Sequence, residues 1–287
     1  MCRARRLTAP TRSRDTGRMN PSRIFITGGG SGLGRALAER YAKAGWSVLI
    51  GDIDQARLDD TVAALRKAGA DAHGLACDVR QAADLEAARD FLERTWGGVD
   101  IVVNNAGVAV AGGIAETTLE DWSWIVDINL MGVVRGCRVF TPLFVRQGHG
   151  HFVNIASMAG LVHPPYMSAY CATKAAVVAL SESTAIELAP HGIHVSVVCP
   201  AFFRTNLHTT MRTADPRFSE STGRLVGKAK RGAEEIAARV FEGVARREFH
   251  ILTHPEGRAA WIAKRLAPFA AYRRLMEKSA AVLLGKR

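Results

Sequence analysis

Short apolar runs alternate with helical stretches along most of this 287-residue chain. The first run, Arg23–Thr27, leads through a glycine-rich turn into a helical stretch, and the next two runs end at Asp52 and Asp78. Apolar strands that alternate with helices are typical of a parallel sheet whose two faces are both covered. Because no repeat or linker interrupts the alternation, the sequence predicts one α/β domain with a doubly wound parallel sheet of about seven strands.

Both ends of the chain depart from this pattern. Residues 1–18 contain six arginines and a single acid, so we expect residues 1–20 to be a disordered leader and residues 21–255 to form the domain. Residues 256–287 are predicted to form a basic amphipathic helical extension with a break at Pro268. Such a helix can lie on an anionic membrane, or it can pack on the domain or on a second subunit. Packing is the commoner outcome, and peripheral membrane contact is the alternative.

The composition argues against several classes of function. The net charge is +11, but the basic residues concentrate at the two ends, so we expect no nucleic-acid-binding face on the central body. No run of roughly eighteen apolar residues occurs, so no membrane-spanning helix is expected. The five cysteines and nine histidines show no metal-ligand spacing, so no metal site is predicted. Scattered free cysteines fit a reducing compartment, and we expect the protein to be cytoplasmic.

A glycine-rich turn, Thr27-Gly-Gly-Gly-Ser-Gly-Leu-Gly, lies between the first strand and the first helix. Glycines allow the backbone to approach a pyrophosphate, and the N-terminus of the following helix offers unpaired N–H groups and a positive dipole. The spacing of Gly28, Gly32 and Gly34 differs from the commoner Gly-x-Gly-x-x-Gly pattern. The turn alone indicates a dinucleotide site only weakly, since a glycine-rich turn without a ligand would also explain it.

Asp52, at the end of the second strand, strengthens the dinucleotide interpretation. A carboxylate at this place accepts a hydrogen bond from a ribose 2′-hydroxyl and repels a 2′-phosphate, which favours NAD over NADP. Alternatively, Asp52 could cap the next helix, although Asp54 is the better-placed cap. Arg35, just past the glycines, is the residue that could argue for NADP.

Tyr170 and Lys174 are four residues apart in a helical segment, so their side chains share one face. A lysine ammonium beside a phenol favours the phenolate and lowers its pKa from about 10, which makes a proton donor and acceptor usable near neutral pH. Ser157, at the end of the preceding apolar strand, could hold a substrate oxygen against the tyrosine. A surface tyrosine–lysine pair on a helix is the ordinary explanation of this motif when it stands alone.

The motifs do not stand alone, because Asn104-Asn-Ala-Gly and Asn129 lie between the glycine turn and Ser157. In their order, and in the interval between Ser157 and Tyr170, these motifs resemble the short-chain dehydrogenase/reductase family over roughly residues 22–252. The resemblance implies a Rossmann-type fold and an enzyme that transfers hydride between an alcohol and a nicotinamide cofactor, with Tyr170 as general acid/base.

The family resemblance also implies roles for individual residues. The implied catalytic residues are Asn129, Ser157, Tyr170 and Lys174, with Asn129 positioning a water behind the lysine. The implied cofactor site consists of Thr27, Gly28, Gly30, Ser31, Gly32, Leu33, Gly34, Asp52, Ile53, Asp78, Val79, Asn105, Ala106, Gly107, Tyr170, Lys174, Pro200 and Thr205. Ala201 replaces a glycine of the family pattern, which makes the placement of Thr205 less secure.

The segments near Ser157 and Tyr170, and a later loop, should form the substrate wall, with Met158, His163, Tyr166, Phe202 and Phe203. This set is apolar and partly aromatic, which predicts a hydrophobic secondary alcohol or its ketone as substrate. His163 could be a polar handle or simply an exposed loop residue. The polar, irregular residues 201–230 take the place of a substrate-covering lid.

The resemblance further implies a homodimer formed by the helices near residues 119–146 and 168–190. A tetramer is also possible, although the C-terminal extension could interfere with it. A non-catalytic dinucleotide-binding sensor or interaction protein is the alternative to an enzyme. The presence of all four implied catalytic residues favours the enzyme.

Overall fold

Seven parallel strands form one sheet in the computed structural model, which describes residues 22–205 and 210–283. The predicted leader lies outside the described residues. The strands are β1 (Arg23–Thr27), β2 (Ser47–Asp52), β3 (Ala72–Ala76), β4 (Ile101–Asn104), β5 (Gly150–Ile155), β6 (Ile193–Cys199) and β7 (His250–Leu252). Their order is β3-β2-β1-β4-β5-β6-β7. The predicted doubly wound parallel sheet, in a single domain, is confirmed.

Helices connect the strands and continue past the last one. They are α1 (Gly32–Lys43), α2 (Gln55–Lys67), α3 (Ala82–Trp96), α4 (Leu119–Val126), α5 (Gly132–Gln147), α6 (Ser168–Leu188), α7 (Pro216–Gly227), α8 (Ala233–Ala245), α9 (Pro255–Leu266) and α10 (Phe269–Leu283). A π-helical turn, Asp127–Met131, joins α4 to α5, and a 3₁₀ turn, Met158–Gly160, follows β5.

Alternate residues of each strand supply two apolar cores, one on each face of the sheet. On β1, Phe25 packs with residues of α3, α5 and α6, whereas Ile24 and Ile26 pack with residues of α1, α2 and α8. All three side chains are fully buried. This division follows from the period of two along a strand, and it explains why the strands read as continuous apolar runs.

Two predicted elements differ from the structure. The single helix expected at residues 119–146 is interrupted by the π-helical turn, which inserts an extra residue into the hydrogen-bonding pattern. Residues 201–230, expected to be irregular, contain α7. Pro216 suggested a break, but it occupies the first turn of the helix, where proline is tolerated, and Asp215 caps that turn by accepting a hydrogen bond from the Arg217 N–H.

The run Leu119–Gln147 is long and apolar enough to cross a membrane, judged by length and composition over the described part of the chain. Half of its most apolar window is buried inside the fold. Helices in the core of a folded domain meet the same criterion, and Phe140 and Phe144 of α5 belong to the core beneath the sheet. Its burial favours a core helix.

The C-terminal helices pack on the domain. The Lys264 ammonium of α9 donates a hydrogen bond to the Leu161 carbonyl at 2.7 Å. The Tyr272 hydroxyl of α10 accepts from the His163 N–H at 3.0 Å and donates to the His163 carbonyl at 3.2 Å. Of the alternatives that the sequence left open for this extension, packing on the domain is therefore the one observed within the described residues.

Candidate active site

A cleft of about 1010 Å³ opens at the carboxyl ends of the strands. The strand order reverses between β1 and β4, and ligands of open α/β sheets bind where such a reversal leaves a crevice. One half of the cleft is lined by the glycine turn, by residues at the ends of β2 and β3, and by the loop after β4. The other half is lined mainly by apolar side chains from elements far apart in sequence.

Close backbone contacts explain why the turn between β1 and α1 needs its glycines. A Cβ atom on Gly34 would lie 2.1 Å from the Gly28 carbonyl oxygen, and Gly28 has a φ of 64°. Ser31 precedes α1 without capping it through its side chain, and no acid lies in the first helical turn. The N-terminal N–H groups of α1 therefore face the cleft without a competing carboxylate, an arrangement that fits a pyrophosphate.

Two side chains tie this turn to the loop after β4. The Thr27 hydroxyl accepts hydrogen bonds from the N–H groups of Asn105 and Ala106 at 3.0 and 3.1 Å. In the other direction, the Asn105 amide donates to the carbonyls of Thr27 and Gly28 at 2.9 and 3.1 Å. Thr27 lies behind the cleft wall, as do Gly30 and Gly34, whereas Gly28, Ser31, Gly32, Leu33, Asn105, Ala106 and Gly107 line the cleft.

Asp52 is buried at the end of β2 and also lines the cleft. Its carboxylate accepts hydrogen bonds from the N–H groups of Gly30 at 2.8 Å and Asp54 at 3.0 Å. The cap of α2 is Asp54, which accepts from the Arg57 N–H, so the alternative role of Asp52 as a helix cap is excluded. A buried carboxylate at this place fits a ribose hydroxyl better than a phosphate.

Arg35 is engaged elsewhere: it pairs with Glu39 at 3.0 Å and Asp60 at 2.6 Å, and it is not among the residues that line the cleft. Two other arginines, Arg57 and Arg80, do line the cleft, a feature that the sequence reasoning missed. Each is paired with an acid, Arg57 with Asp54 at 3.1 Å and Arg80 with Asp78 at 2.6 Å.

Asp78, Val79 and Ile53, which the family resemblance assigns to the cofactor site, also line the cleft. Hydrogen bonds from the Arg80 guanidinium hold the pKa of the Asp78 carboxyl below its ordinary value. The Asp78 carboxylate is therefore ionised and neutralised by its neighbour, which leaves its backbone and the adjacent apolar side chains to contact a ligand.

Ser157, Tyr170 and Lys174 line the cleft where its two halves meet. Ser157 follows β5 in an extended conformation, and its hydroxyl accepts a hydrogen bond from the Ala159 N–H at 3.1 Å, which holds the 3₁₀ turn. Tyr170 and Lys174 lie in the first two turns of α6, and both are buried. The Ser157 hydroxyl also lies 3.4 Å from the Pro200 carbonyl oxygen, to which it donates.

Burial dominates the acidity of the tyrosine and the lysine. It raises the pKa of the Tyr170 phenol to about 12, although the Ser157 hydroxyl acts in the opposite direction. Burial also lowers the pKa of the Lys174 ammonium to about 8. The Lys174 ammonium donates to the Ile155 carbonyl at 2.9 Å and lies 5.8 Å from the centre of the Tyr170 ring. The expectation that the Tyr170 pKa is lowered toward neutral pH is therefore wrong for the protein alone, because burial raises it.

Asn129 is fully buried in the π-helical turn. Its amide oxygen accepts from the Val108 N–H at 2.8 Å, while its amide nitrogen donates to the Val108 carbonyl at 2.9 Å and lies 3.4 Å from the Thr173 hydroxyl. Asn129 thus holds the loop after β4 against α6. A Cβ atom added to Gly107 would lie 3.2 Å from the Asn129 amide oxygen and 3.4 Å from the Lys174 nitrogen, so both side chains face Gly107.

Three of the predicted substrate residues line the cleft and two do not. Met158, Phe202 and Phe203 lie in the wall, and so do the predicted cofactor residues Pro200 and Thr205. His163 is exposed, and its ring Nδ1 lies 2.9 Å from the Ala159 carbonyl oxygen. Tyr166 has a φ of 61°, and its ring packs on Phe218 with 5.2 Å between ring centres. Neither residue is among those that line the cleft.

Several wall residues were missed by the sequence reasoning. They come from α4, α7, α9 and α10 and include Trp124, Leu225, Val226, Ala260 and Met276. No local signal marks them, since apolar residues at helical spacing predict a packed face without saying what it packs against. Across residues 22–205 and 210–283, no group of three or more His, Cys, Asp or Glu side chains is arranged to hold a metal ion.

Comparison with known proteins adds to this geometry. A family model described as short chain dehydrogenase matches residues 22–216. The CLA biosynthesis dehydrogenase/reductase of Lactiplantibacillus plantarum is 34% identical over 251 residues, which cover 81% of this chain and 88% of that protein.

Solved structures agree in fold with these sequence matches. A short chain dehydrogenase/reductase from Burkholderia phymatum, crystallised in complex with NAD, is 37% identical with a TM-score of 0.82, and the match covers 86% of this chain and 93% of that one. A short-chain dehydrogenase from Sphingobium yanoikuyae in complex with NADPH is 32% identical with a TM-score of 0.72. The match covers 89% of this chain and 95% of that one.

Proposed function

This chain belongs to the short-chain dehydrogenase/reductase family, a family of oxidoreductases, and on that premise we propose that it interconverts a hydrophobic secondary alcohol and its ketone with NAD as cofactor. One observation carries the proposal. Ser157, Tyr170 and Lys174 line one cleft together with a glycine turn, a buried carboxylate and an apolar wall. A proton donor and acceptor is thereby held where a dinucleotide and an apolar substrate would meet.

Each polar group at this junction has a task in alcohol oxidation. With NAD bound, the positive charge of its nicotinamide ring and the Lys174 ammonium would favour the Tyr170 phenolate, which then takes the proton of the substrate hydroxyl. Ser157 donates a hydrogen bond to the same oxygen as negative charge develops on it. Bound NAD supplies the acceptor for the hydride that leaves the carbinol carbon. Lys174, buried beside the tyrosine, contributes positive charge near the phenol and holds the ribose next to it. In ketone reduction Tyr170 returns the proton.

The preference for NAD rests on Asp52. Relatives of this fold are found with NAD and with NADPH, so the comparisons do not select between the two. A buried carboxylate that already accepts two backbone hydrogen bonds has lone pairs left for a ribose hydroxyl, whereas a 2′-phosphate beside it would be repelled. Arg57 and Arg80 do not reverse this, because each is paired with an acid of its own.

The substrate class follows from the wall opposite the glycine turn. Trp124, Met158, Phe202, Val226 and Met276 all line this half of the cleft. Such a surface gains free energy mainly by removing apolar area from water, at about 25 cal/mol per Å². It favours a substrate with a sizeable hydrocarbon body over a sugar or a small acid.

The test is an absorbance assay with NAD and a panel of secondary alcohols of increasing apolar size, and with NADH and the matching ketones. Turnover that increases with apolar size and is lost in Tyr170→Phe is expected. Turnover that persists in Tyr170→Phe would remove the general acid/base assignment. If NAD binds but no member of the panel reacts, the alternative of a non-catalytic dinucleotide-binding protein gains support.

A homodimer forms part of the same proposal. The α4–α5 run and α6 carry exposed large hydrophobic side chains, namely Leu119, Met131, Val145 and Ile186. Exposed apolar groups on neighbouring long helices suit a self-complementary interface. Light scattering of the purified protein tests the dimer, with Ile186→Glu as the variant expected to weaken it.

A reducing, cytoplasmic location is also proposed. Four cysteines, Cys77, Cys137, Cys171 and Cys199, are free and buried in the described chain. Free buried cysteines behave as small hydrophobic residues and tolerate a reducing environment.

A further inference from the structure

We propose that the bend between α9 and α10 docks this protein on an anionic lipid surface. The docking face consists of Arg258, Ile262, Arg265, Leu266 and Phe269. The proposal goes beyond the oxidoreductase function and does not depend on it, since lipid binding is measured without turnover.

The opposite face of α9 is fixed to the domain. Gly257 lies against Met158, with only 2.9 Å between the position of an added Cβ and the methionine sulfur. Trp261 packs on His250 with 4.8 Å between ring centres, and Lys264 bonds to the Leu161 carbonyl. These contacts recur at helical spacing, which directs the docking face outward.

Three large apolar side chains of the docking face remain in solvent. The exposed fractions are 47% for Ile262, 81% for Leu266 and 74% for Phe269. Ile262 and Leu266 are four residues apart on α9, and Phe269 begins α10 just after the bend. Burial of large apolar side chains is favourable, so an exposed apolar set of this kind has a strong tendency to acquire a partner.

Charge identifies the partner. Between residues 255 and 283 the chain carries six basic residues, Arg258, Lys264, Arg265, Arg273, Arg274 and Lys278, and two acidic ones, Glu256 and Glu277. Within the part of the chain that the structure describes, Arg258, Arg265, Arg274 and Lys278 form no ion pair, while Arg273 lies 3.4 Å from Glu277. Cations that surround exposed apolar side chains match anionic headgroups above acyl chains.

The same charge argues against a second copy as the occupant. A two-fold interface places one patch against itself, so the basic residues of both copies would face each other. On a lipid surface that carries anionic headgroups they would face negative charge, which attracts them. Docking would also bring the apolar half of the cleft close to the membrane, because Ala260 and Met276 of the same two helices line it.

The experiment is sedimentation of the full-length protein with sucrose-loaded vesicles. One set contains phosphatidylcholine alone and the other also contains about 30% phosphatidylserine. The variant Leu266→Glu/Phe269→Glu places carboxylates on the docking face. The matched control is Ile114→Glu, which changes a side chain that is 71% exposed in the loop after β4. Circular dichroism and thermal melts verify that both variants fold.

The wild type and Ile114→Glu are expected to sediment with anionic vesicles and to lose binding as salt rises. The double variant is expected to bind at least about tenfold more weakly. Equal binding of the double variant and the wild type would overturn the proposal, as would failure of the wild type to sediment with anionic vesicles. Equal binding to both vesicle types would overturn the electrostatic part. A change of oligomeric state in the double variant, without vesicle binding by the wild type, would assign the face to a second copy.

Discussion

The two halves of the cleft are built in different ways. The cofactor half consists of turns that follow strands directly, and its shape depends on backbone contacts such as those between Gly34 and Gly28. The substrate half is assembled from side chains of α4, α7, α9 and α10 and of the turn after β5. The cofactor half depends on local backbone geometry, which tolerates few substitutions. The substrate half depends on packing between distant helices, which many apolar residues could provide.

The largest effect is expected at the junction of the two halves. Tyr170→Phe removes the proton donor and acceptor but keeps the ring, so turnover should fall by about 10²–10⁴-fold. NAD affinity, measured by calorimetry, should be largely retained, because the phenol does not hold the adenosine end. A comparable loss of NAD binding would mean that the substitution disrupts the cofactor half as well.

Gly34→Ala tests whether the glycine turn of the cofactor half tolerates an added side-chain atom. The added Cβ would lie 2.1 Å from the Gly28 carbonyl oxygen, and a clash with backbone cannot be relieved by a side-chain rotation. We expect a loss of about 1–3 kcal/mol in the free energy of unfolding and weaker NAD binding.

The matched control for that variant is Gly227→Ala. A Cβ at Gly227 would meet no atom within 4 Å. Urea denaturation should therefore show a stability equal to or above that of the wild type. Equal behaviour of the two variants would show that the turn can shift and that the backbone contact is not limiting.

Asp52→Asn tests the selectivity of the cofactor half. The amide has no negative charge to repel a 2′-phosphate, so the preference for NAD over NADP should fall by about tenfold. Asp54→Asn is the control, because asparagine caps a helix as well as aspartate does. Calorimetry with both dinucleotides measures the ratio, and an unchanged ratio in Asp52→Asn would contradict the role of this carboxylate.

Lys174 gives the protein a pH-dependent stability. Burial lowers its pKa from 10.5 to about 8, so between these values the unfolded chain binds more protons than the folded one. The free energy of unfolding contributed by this group therefore rises as pH increases from about 8 to 10.5. Urea denaturation of the wild type and of Lys174→Met across this pH range should show that the free energy of unfolding of the wild type rises relative to that of the variant. If the stabilities of the two proteins change in parallel with pH, the Lys174 ammonium is better solvated than its burial indicates.

The smallest effect is expected in the substrate half. Tyr272→Phe removes two hydrogen bonds to the His163 backbone, each worth about 0.5–1.5 kcal/mol. The KM for large substrates should rise with little change in kcat, because α10 becomes less firmly held over the cleft. Lys278→Ala, an exposed change on the same helix, should leave both parameters unchanged.

The fold and the cofactor half were predictable because their signals are local. An apolar run in the sequence indicates each strand, and Asp52 is recognised by its position at the end of a strand. The cap at Asp54 was predicted on the same basis and is confirmed. Helix α7 was missed because a proline in the first turn of a helix resembles a helix breaker when only the sequence is read.

The placement of His163 and Tyr166 could not be read from the sequence. Both precede Tyr170 closely, yet neither lines the cleft: the His163 ring lies against the Ala159 carbonyl, and the Tyr166 ring packs on Phe218. The acidity of Tyr170 and Lys174 was misjudged for a related reason. Spacing places the two on one helix face, but it does not report the burial that controls both pKa values.

The sequence by itself determined the parallel sheet, the glycine turn, the carboxylate at the end of β2 and the tyrosine–lysine pair on α6. These features depend on residues close together in the chain or on the regular period of strands and helices. Only the tertiary structure decided that α9 and α10 close the substrate half and that Lys174 bonds to the Ile155 carbonyl. Contacts between distant segments depend on how the helices pack, and an apolar residue in the sequence does not specify its partner.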